Sequence, residues 1–105
     1  MFHILTNANY ILTYEPIRIF EKQSGLIRTL IYLIDNSPIN IQAIIDNTDI
    51  YPNIMYASLK KATDLGLIIQ TVDTSKYPHK NMISLTEKGE RVALKLKEIA
   101  NILSE

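Results

Sequence analysis

The stretch YASLKKATDLGLI, residues 56–68, contains the end of one helix and the start of one strand. Pro52 suits the first turn of that helix, and Gly66 closes it because glycine readily adopts the left-handed conformation found at helix C-termini. After the glycine the residues are rich in β-branched types, so the pattern changes from helical to extended. Apolar residues recur along one face of the predicted helix at steps of four and three: Met55, Leu59 and Ala62.

A second informative stretch is ISLTEKGERVA, residues 83–93, in which Thr86 is a good N-cap for a helix that starts directly after it. Two short extended segments, residues 67–72 and 82–86, are predicted to pair as a hairpin. The polar residues between them, about 73–81, form the tip of that hairpin. This region therefore predicts a long β-ribbon, or wing, followed by a helix.

Two further helices are predicted upstream of the helix that begins at Pro52. Ser24 is expected to cap the first, residues 25–36, and Ser37-Pro38 stops it. Asn40 is expected to cap the second, which ends near Thr48. The first of these helices has a stripe of apolar residues expected to face the core: Leu26, Leu30 and Leu33.

The order helix, helix, turn, helix, hairpin, helix is that of a winged helix-turn-helix domain, a mostly helical α+β fold with a three-helix core, a two-stranded wing and a long C-terminal helix. Residues 40–85 resemble the winged-helix regulators of the broad MarR-like and ArsR-like group, especially small archaeal ones. YASLKKATDLGLI resembles a recognition helix that runs into the first wing strand, and ISLTEKGERVA resembles the second wing strand that runs into the last helix. FEKQSGLIRTLIYLI, residues 20–34, matches the first helix. The resemblance implies a DNA-binding transcription regulator.

Three parts of the chain are distinguished: an N-terminal arm at residues 1–16, which is a second candidate for dimerisation, the winged-helix domain at 17–86, and a C-terminal dimerisation helix at 87–105. An apolar stripe on the last helix either covers its own domain or forms a homodimer seam. Leu94 and Ile102 lie off this stripe and favour the dimer, because a second apolar face needs a second surface to bury against. The candidate interface residues are Val92, Leu96, Ile99, Ile102 and Leu103.

The charge is balanced, with 11 basic and 11 acidic side chains in 105 residues. This excludes a globally basic DNA-coating protein and an acidic disordered tail. Residues 1–59 carry three basic and five acidic side chains, and residues 60–105 carry eight and six, so the halves have net charges of −2 and +2. A nucleic acid would therefore have to be bound by a local patch in the second half.

If the apolar stripe of the third helix faces the core, the opposite face would enter the DNA major groove. Asn53 suits adenine, although an ordinary helix-start role is equally consistent with its position. Ala57 and Ile54 suit thymine methyl groups, and the two lysines suit phosphates or guanine, although exposed lysines often serve solvation alone. The candidate residues on this helix are Tyr51, Asn53, Ile54, Ala57, Lys60 and Lys61.

The wing supplies a second group of candidate DNA contacts. Basic side chains at its tip would hold the DNA backbone or enter the minor groove, and Tyr77 is the tyrosine most exposed to a partner. Arg28 on the first helix is a further phosphate candidate. The candidate wing residues are Lys76, Tyr77, His79 and Lys80.

Several classes of function are not expected. The chain has no Cys, which excludes disulfides, Cys-ligated zinc and thiol catalysis. It has no Gly-rich phosphate loop and no Ser-His constellation, and its two histidines lack partners at ligand spacing. We therefore expect no enzyme activity, no metal and no cofactor, and no residue indicates a small-molecule effector.

No apolar run approaches the roughly 20 residues of a membrane span, and no basic leader precedes the domain, so a cytoplasmic location is expected.

The leading hypothesis is a dimeric, double-stranded-DNA-binding transcription regulator. One alternative is a protein-interaction module that docks through an apolar face formed by Tyr51, Ile54 and Tyr56, which the neutral charge favours. Another is a low-specificity chromatin architectural protein, which would bind DNA without a preferred site.

Overall fold

Five helices and three short strands make up the part of the chain that the structure, a computed structural model, describes, residues 14–105. After a 3₁₀ turn at Glu15–Ile17, the elements are α1 (Arg18–Lys22), α2 (Leu26–Asn36), β1 (Ile39–Asn40), α3 (Ile41–Asn47), α4 (Pro52–Asp64), β2 (Ile68–Asp73), β3 (Lys80–Leu85) and α5 (Glu87–Leu103). This order confirms the predicted mostly helical α+β, winged helix-turn-helix fold. The predicted arm at residues 1–16 lies almost wholly outside the described residues.

The strands form one antiparallel sheet in the order β1-β3-β2. The hairpin pairs Ile68 with Leu85 at its base and Asp73 with Lys80 at its tip. The loop at the tip is therefore residues 74–79, shorter than the predicted 73–81, because pairing continues further toward the tip than the apolar pattern does. The prediction of a two-stranded sheet was incomplete: β1 adds a third strand through Ile39, opposite Ile83. A strand of two residues is too short to leave a periodic pattern in the sequence.

The hydrophobic core lies between α2, α4, the base of the sheet and the first half of α5. The apolar stripes predicted for α2 and α4 are buried, which confirms the direction in which each helix faces. Ile44 from α3 and Ile83 from β3 complete the centre of the core, and both are fully buried. The stripe residues concerned are Leu26, Leu30 and Leu33 on α2 and Met55, Leu59 and Ala62 on α4.

Two of the three predicted helix caps are confirmed. Asn40 Oδ1 accepts a hydrogen bond from the Ala43 N–H at 2.9 Å, and Thr86 Oγ1 accepts one from the Gly89 N–H at 2.9 Å. The prediction that Ser24 caps α2 was wrong. Gly25 occupies the N-cap position because its carbonyl accepts the first bond of the helix, from the Thr29 N–H at 3.0 Å.

The base of the wing is fixed by a very close approach between two backbones. The Leu67 carbonyl accepts a hydrogen bond from the Thr86 N–H at 3.0 Å, so the first turn of α5 lies directly on it. A Cβ atom at Gly89 would overlap the Leu67 carbonyl group. Gly66 has a φ of 73°, the left-handed conformation that ends α4, but the space around it is open. The two glycines therefore serve different purposes, close contact at one and backbone conformation at the other.

We expect Gly89→Ala to lower the free energy of unfolding by about 2 to 3 kcal/mol, because either α5 or the base of the wing must move to admit the methyl group. Gly66→Ala is the matched control, since it adds the same methyl group in open space and costs only the left-handed backbone strain, about 1 to 2 kcal/mol. Urea denaturation followed by circular dichroism measures both values. An equal or smaller loss at Gly89 would contradict the close contact.

Candidate nucleic-acid interface

Helix α4 has one buried side and one exposed side. Pro52 occupies its first turn, and the N-cap Tyr51 is 75% exposed. The outward residues singled out from the sequence are exposed along the whole helix: Asn53, Ala57, Lys60 and Lys61. Among residues 14–105, none covers this side of α4, which is continuous along the helix.

Ser58 fixes the rotation of α4 about its own axis. Its side chain is fully buried, and its hydroxyl donates a hydrogen bond to the Ser24 carbonyl at 2.9 Å. The same hydroxyl accepts one from the Gln23 side-chain amide at 3.4 Å. Because a buried hydroxyl without a partner is costly, these bonds hold α4 against the junction between α1 and α2. The exposed side of α4 is thus a consequence of a contact on its buried side.

Ile54 is less available than the helical wheel predicted. Its side chain is half-buried and packs against the core, over Gly25. The wheel placed Ile54 on the flank of the exposed side, but it did not include the junction before α2, which covers that flank. Ile54 therefore lies at the edge of the candidate interface.

A groove lies between α3, α4 and the wing, and Tyr56 lines it. Tyr56 is 55% exposed and lines this groove together with residues of α3 and β3. It also lines a neighbouring groove with Lys60 and Gln70, on the side of β2. The first groove is lined by Asn40, Ile41, Gln42, Ala43, Asp46, Tyr56, Lys80 and Asn81. A shallow channel thus connects the exposed side of α4 with the wing.

Of these lining residues only Lys80 was in the predicted set of contacts, and the missed residues include Tyr56, Gln42 and Asn81. Tyr56 precedes Lys60 by four residues, one helical turn, so its spacing could have revealed it. The sequence contains no comparable signal for Gln42 and Asn81. Their place in the groove depends on how α3 and β3 lie beside α4.

The tip of the wing extends into solvent. Lys76 and His79 are exposed, and Tyr77 is 91% exposed. The Tyr77 and His79 rings meet edge to face, with centroids 5.8 Å apart. Lys80 lies in β3 rather than in the loop, directly opposite Asp73. Lys80 therefore faces the α4 groove, whereas Tyr77 and His79 lie at the tip.

Asp73 is integrated into the turn of the wing. Its Oδ1 accepts hydrogen bonds from the Ser75 hydroxyl at 2.6 Å and from the Ser75 N–H at 2.9 Å. These bonds, with a smaller contribution from the charge of Lys80, hold the pKa of the Asp73 carboxyl below its usual value. Asp73 is therefore an anion next to the lysines of the wing.

Arg28 is not part of either groove. It is exposed on α2 and has no ion pair within the described residues, but it lines neither channel beside α4.

The candidate dimer residues on α5 fall into two groups. Val92 and Leu96 are half-buried and pack against the core of their own domain. They form an apolar groove together with Phe20, Ile17 and Ile99. The last turns of the helix leave three apolar side chains exposed, by 52%, 63% and 79% respectively: Ile99, Ile102 and Leu103.

Residues 14–105 contain neither a cluster of metal-ligand side chains nor a membrane-spanning helix. No cluster of three or more His, Asp or Glu side chains there is suitable for a metal ion. No helix among those residues has both the length and the apolar character needed to cross a membrane.

The sequence matches no protein-family model, and no curated protein matches it significantly. Solved structures do match. A protein of Porphyromonas gingivalis W83 described as a MarR-family transcriptional regulator is 23% identical, with a TM-score of 0.72 over 89% of each chain. A MarR transcriptional regulator from Methanosarcina mazei Go1 is 22% identical, with a TM-score of 0.69 over 100% of this chain and 79% of the other. F-93 of SSV1 is 20% identical, with a TM-score of 0.60 over 75% and 88%. The chain thus has the fold of the small MarR-like winged-helix proteins.

Proposed function

We propose that this protein is a transcription regulator that binds double-stranded DNA as a dimer, with α4 in the major groove and the wing on the DNA backbone. The observation that carries the proposal is the uninterrupted exposed side of α4, which continues across the Tyr56 groove to the wing. An α-helix with its side chains is about 10–12 Å wide, close to the width of the B-DNA major groove, about 12 Å. The solved structures of similar fold include transcription regulators, which supports the proposal. No catalytic step is involved, and the proposed location is the cytoplasm.

The exposed side of α4 offers few but suitable groups for reading bases. The Asn53 amide is able to form two hydrogen bonds with adenine, and the Ala57 methyl group suits the methyl group of thymine. Tyr56 adds a ring with a hydroxyl group to the lining of the groove. Specific contacts would therefore favour A·T-containing sites.

The phosphate contacts in this proposal come from four lysines. Lys60 and Lys61 lie on α4, and Lys76 and Lys80 lie on the wing, and all four are exposed. His79 and Tyr77 at the tip would touch the backbone or the minor groove, and Arg28 would reach a phosphate only on an extended site. Because phosphate contacts release counterions, the affinity should fall as salt is raised.

Dimerisation is proposed through α5. Three apolar side chains exposed at the end of one helix are unfavourable in water and are well suited to pairing with a second copy. Val92 and Leu96 would form the inner border of this interface, where it meets the domain's own core. A two-fold arrangement would match two DNA half-sites about 34 Å apart.

A protein-interaction function is the second candidate, and one observation favours it. Tyr51 and Tyr56 expose large aromatic surfaces on α4, beside the half-buried Ile54. Tyrosine is enriched at the centres of protein interfaces, so this face would also suit a protein partner. The DNA titration described next distinguishes the two functions.

Replacing Lys60, Lys61, Lys76 and Lys80 with Ala should weaken binding to a duplex from upstream of the protein's own gene. We expect the plot of log Kobs against log salt to become less steep by about 0.9 for each phosphate that the variant no longer neutralises. Fluorescence anisotropy titrations at two salt concentrations measure both the affinity and this slope.

The matched control replaces four basic residues outside this interface with Ala: Lys22, Arg91, Lys95 and Lys97. It removes the same charge and should leave most of the DNA affinity intact. An equal fall in affinity in the two variants would refute the proposed interface. If the natural protein binds no DNA at low salt but a stoichiometric partner protein covers Tyr51 and Tyr56, the second candidate function is correct.

Ile99→Glu should convert the dimer to a monomer, because a carboxylate would be buried against apolar side chains of the second copy. Since Ile99 is 52% exposed in the single chain, the domain itself should remain folded. Val72→Glu is the matched control, an apolar side chain on the wing with 57% exposure. Sedimentation velocity gives the oligomeric state. A dimer unaffected by Ile99→Glu would show that the interface lies elsewhere.

A further inference from the structure

Resting on the proposed function, we infer that Asp46, Asp64 and Asp73 act as specificity-determining residues. They weaken DNA binding that depends only on charge attraction to phosphates, so a stable complex also needs contacts with the bases. These carboxylates lie among the lysines expected to contact phosphates. The interface thus disfavours binding to DNA of non-specific sequence.

The first carboxylate, Asp64, pairs with a lysine of the recognition helix. The Lys60 ammonium lies 3.7 Å from an Asp64 carboxylate oxygen, and both side chains are largely exposed. Both residues line the groove beside Tyr56. A phosphate that approached Lys60 would therefore also approach an anion.

The second and third carboxylates surround Lys80. Asp46 lines the same groove as Lys80, between α3 and β3. Asp73 lies opposite Lys80 in the hairpin, and both share a small pocket with Lys76. Among the four candidate lysines, only Lys61 lines no groove with an aspartate.

The position of Asp64 is not explained by helix stability, and for Asp46 the i,i+4 hydrogen bond from the Gln42 side chain offsets only part of the cost of a carboxylate at a helix end. Each lies in the last turn of its helix, where the partial negative charge of the helix end disfavours an anion. In the Lys60–Asp64 pair the basic residue comes first, which is the less favourable order for an i,i+4 pair. An exposed pair of this kind contributes little to stability. A role in partner selection accounts for these carboxylates better than a role in folding.

Asp73 has a local role as well, since it holds the turn of the wing through Ser75. An asparagine side-chain oxygen would accept the same two bonds, so Asp73→Asn removes the charge and keeps the turn. Asp46 Oδ1 accepts a hydrogen bond from the Gln42 side-chain amide at 2.8 Å, and Asp46→Asn likewise keeps an oxygen that can accept this bond. The charge of each carboxylate can therefore be tested apart from its hydrogen bonds.

The test compares the natural protein with the triple variant Asp46→Asn, Asp64→Asn, Asp73→Asn on a random-sequence duplex of about 20 base pairs at about 50 mM salt. We expect the variant to bind roughly tenfold more tightly and its salt dependence to steepen, because freed lysines contact more phosphates. Affinity for the duplex from upstream of the protein's own gene should rise by a smaller factor, so the ratio of the specific to the non-specific affinity falls. Anisotropy titrations measure these quantities, and circular dichroism verifies folding.

The matched control carries the same change of charge on α2, on α5 and just after α5: Asp35→Asn, Glu98→Gln and Glu105→Gln. These residues lie outside the α4 grooves and the wing, and solvent-exposed charges beyond about 14 Å are largely screened at about 50 mM salt. An equal rise in affinity in the control would show an effect of net charge alone and would overturn the inference. A triple variant with unchanged affinity for the random duplex would also overturn the inference. If the natural protein still binds DNA in that case, the proposed function remains valid. Failure of all three proteins to bind either duplex would overturn both.

Discussion

The wing, the recognition helix and the C-terminal helix are all positioned by one backbone junction, the contact between residues 65–67 and the first turn of α5. The Leu67 N–H donates to the Ala62 carbonyl of α4, and the Leu67 carbonyl accepts from Thr86. The Thr86 hydroxyl donates to the Gly66 carbonyl at 2.6 Å, and the Lys88 ammonium donates to the Leu65 carbonyl at 3.1 Å. Because three elements meet at this point, the angle between α4 and the wing depends on it.

Local features of this arrangement could be predicted from the sequence. The caps at Asn40 and Thr86 and the helix end at Gly66 depend on neighbouring residues alone, and the buried side of α4 follows from its period. The features that could not be predicted involve distant segments. Strand β1 exists because Ile39 reaches Ile83, and Ile54 is half-buried because the residues before α2 cover it. Neither contact can be predicted from a short segment of the sequence.

The same distinction applies to the candidate site. The exposed side of α4 was predictable because it is the complement of a buried stripe. The groove was not, since it is assembled from α3, α4 and β3, and the proximity of Lys80 to Asp46 and Asp73 was equally hidden. Asp73 and Lys80 are seven residues apart in the sequence, and only the register of the hairpin brings them together. A balanced total charge gave no indication that opposite charges were interleaved on one face.

The hydroxyl of Ser58 has a consequence for how this protein can change over time. The hydrogen bonds that set the rotation of α4 are on its buried side, whereas Asn53, Ala57 and Lys60 make no contact that the core requires. Substitutions at these outer positions would alter what the helix recognises and leave its orientation intact. Scaffold and recognition are therefore separable, and new preferences would be accessible through single replacements without first passing through an unstable intermediate.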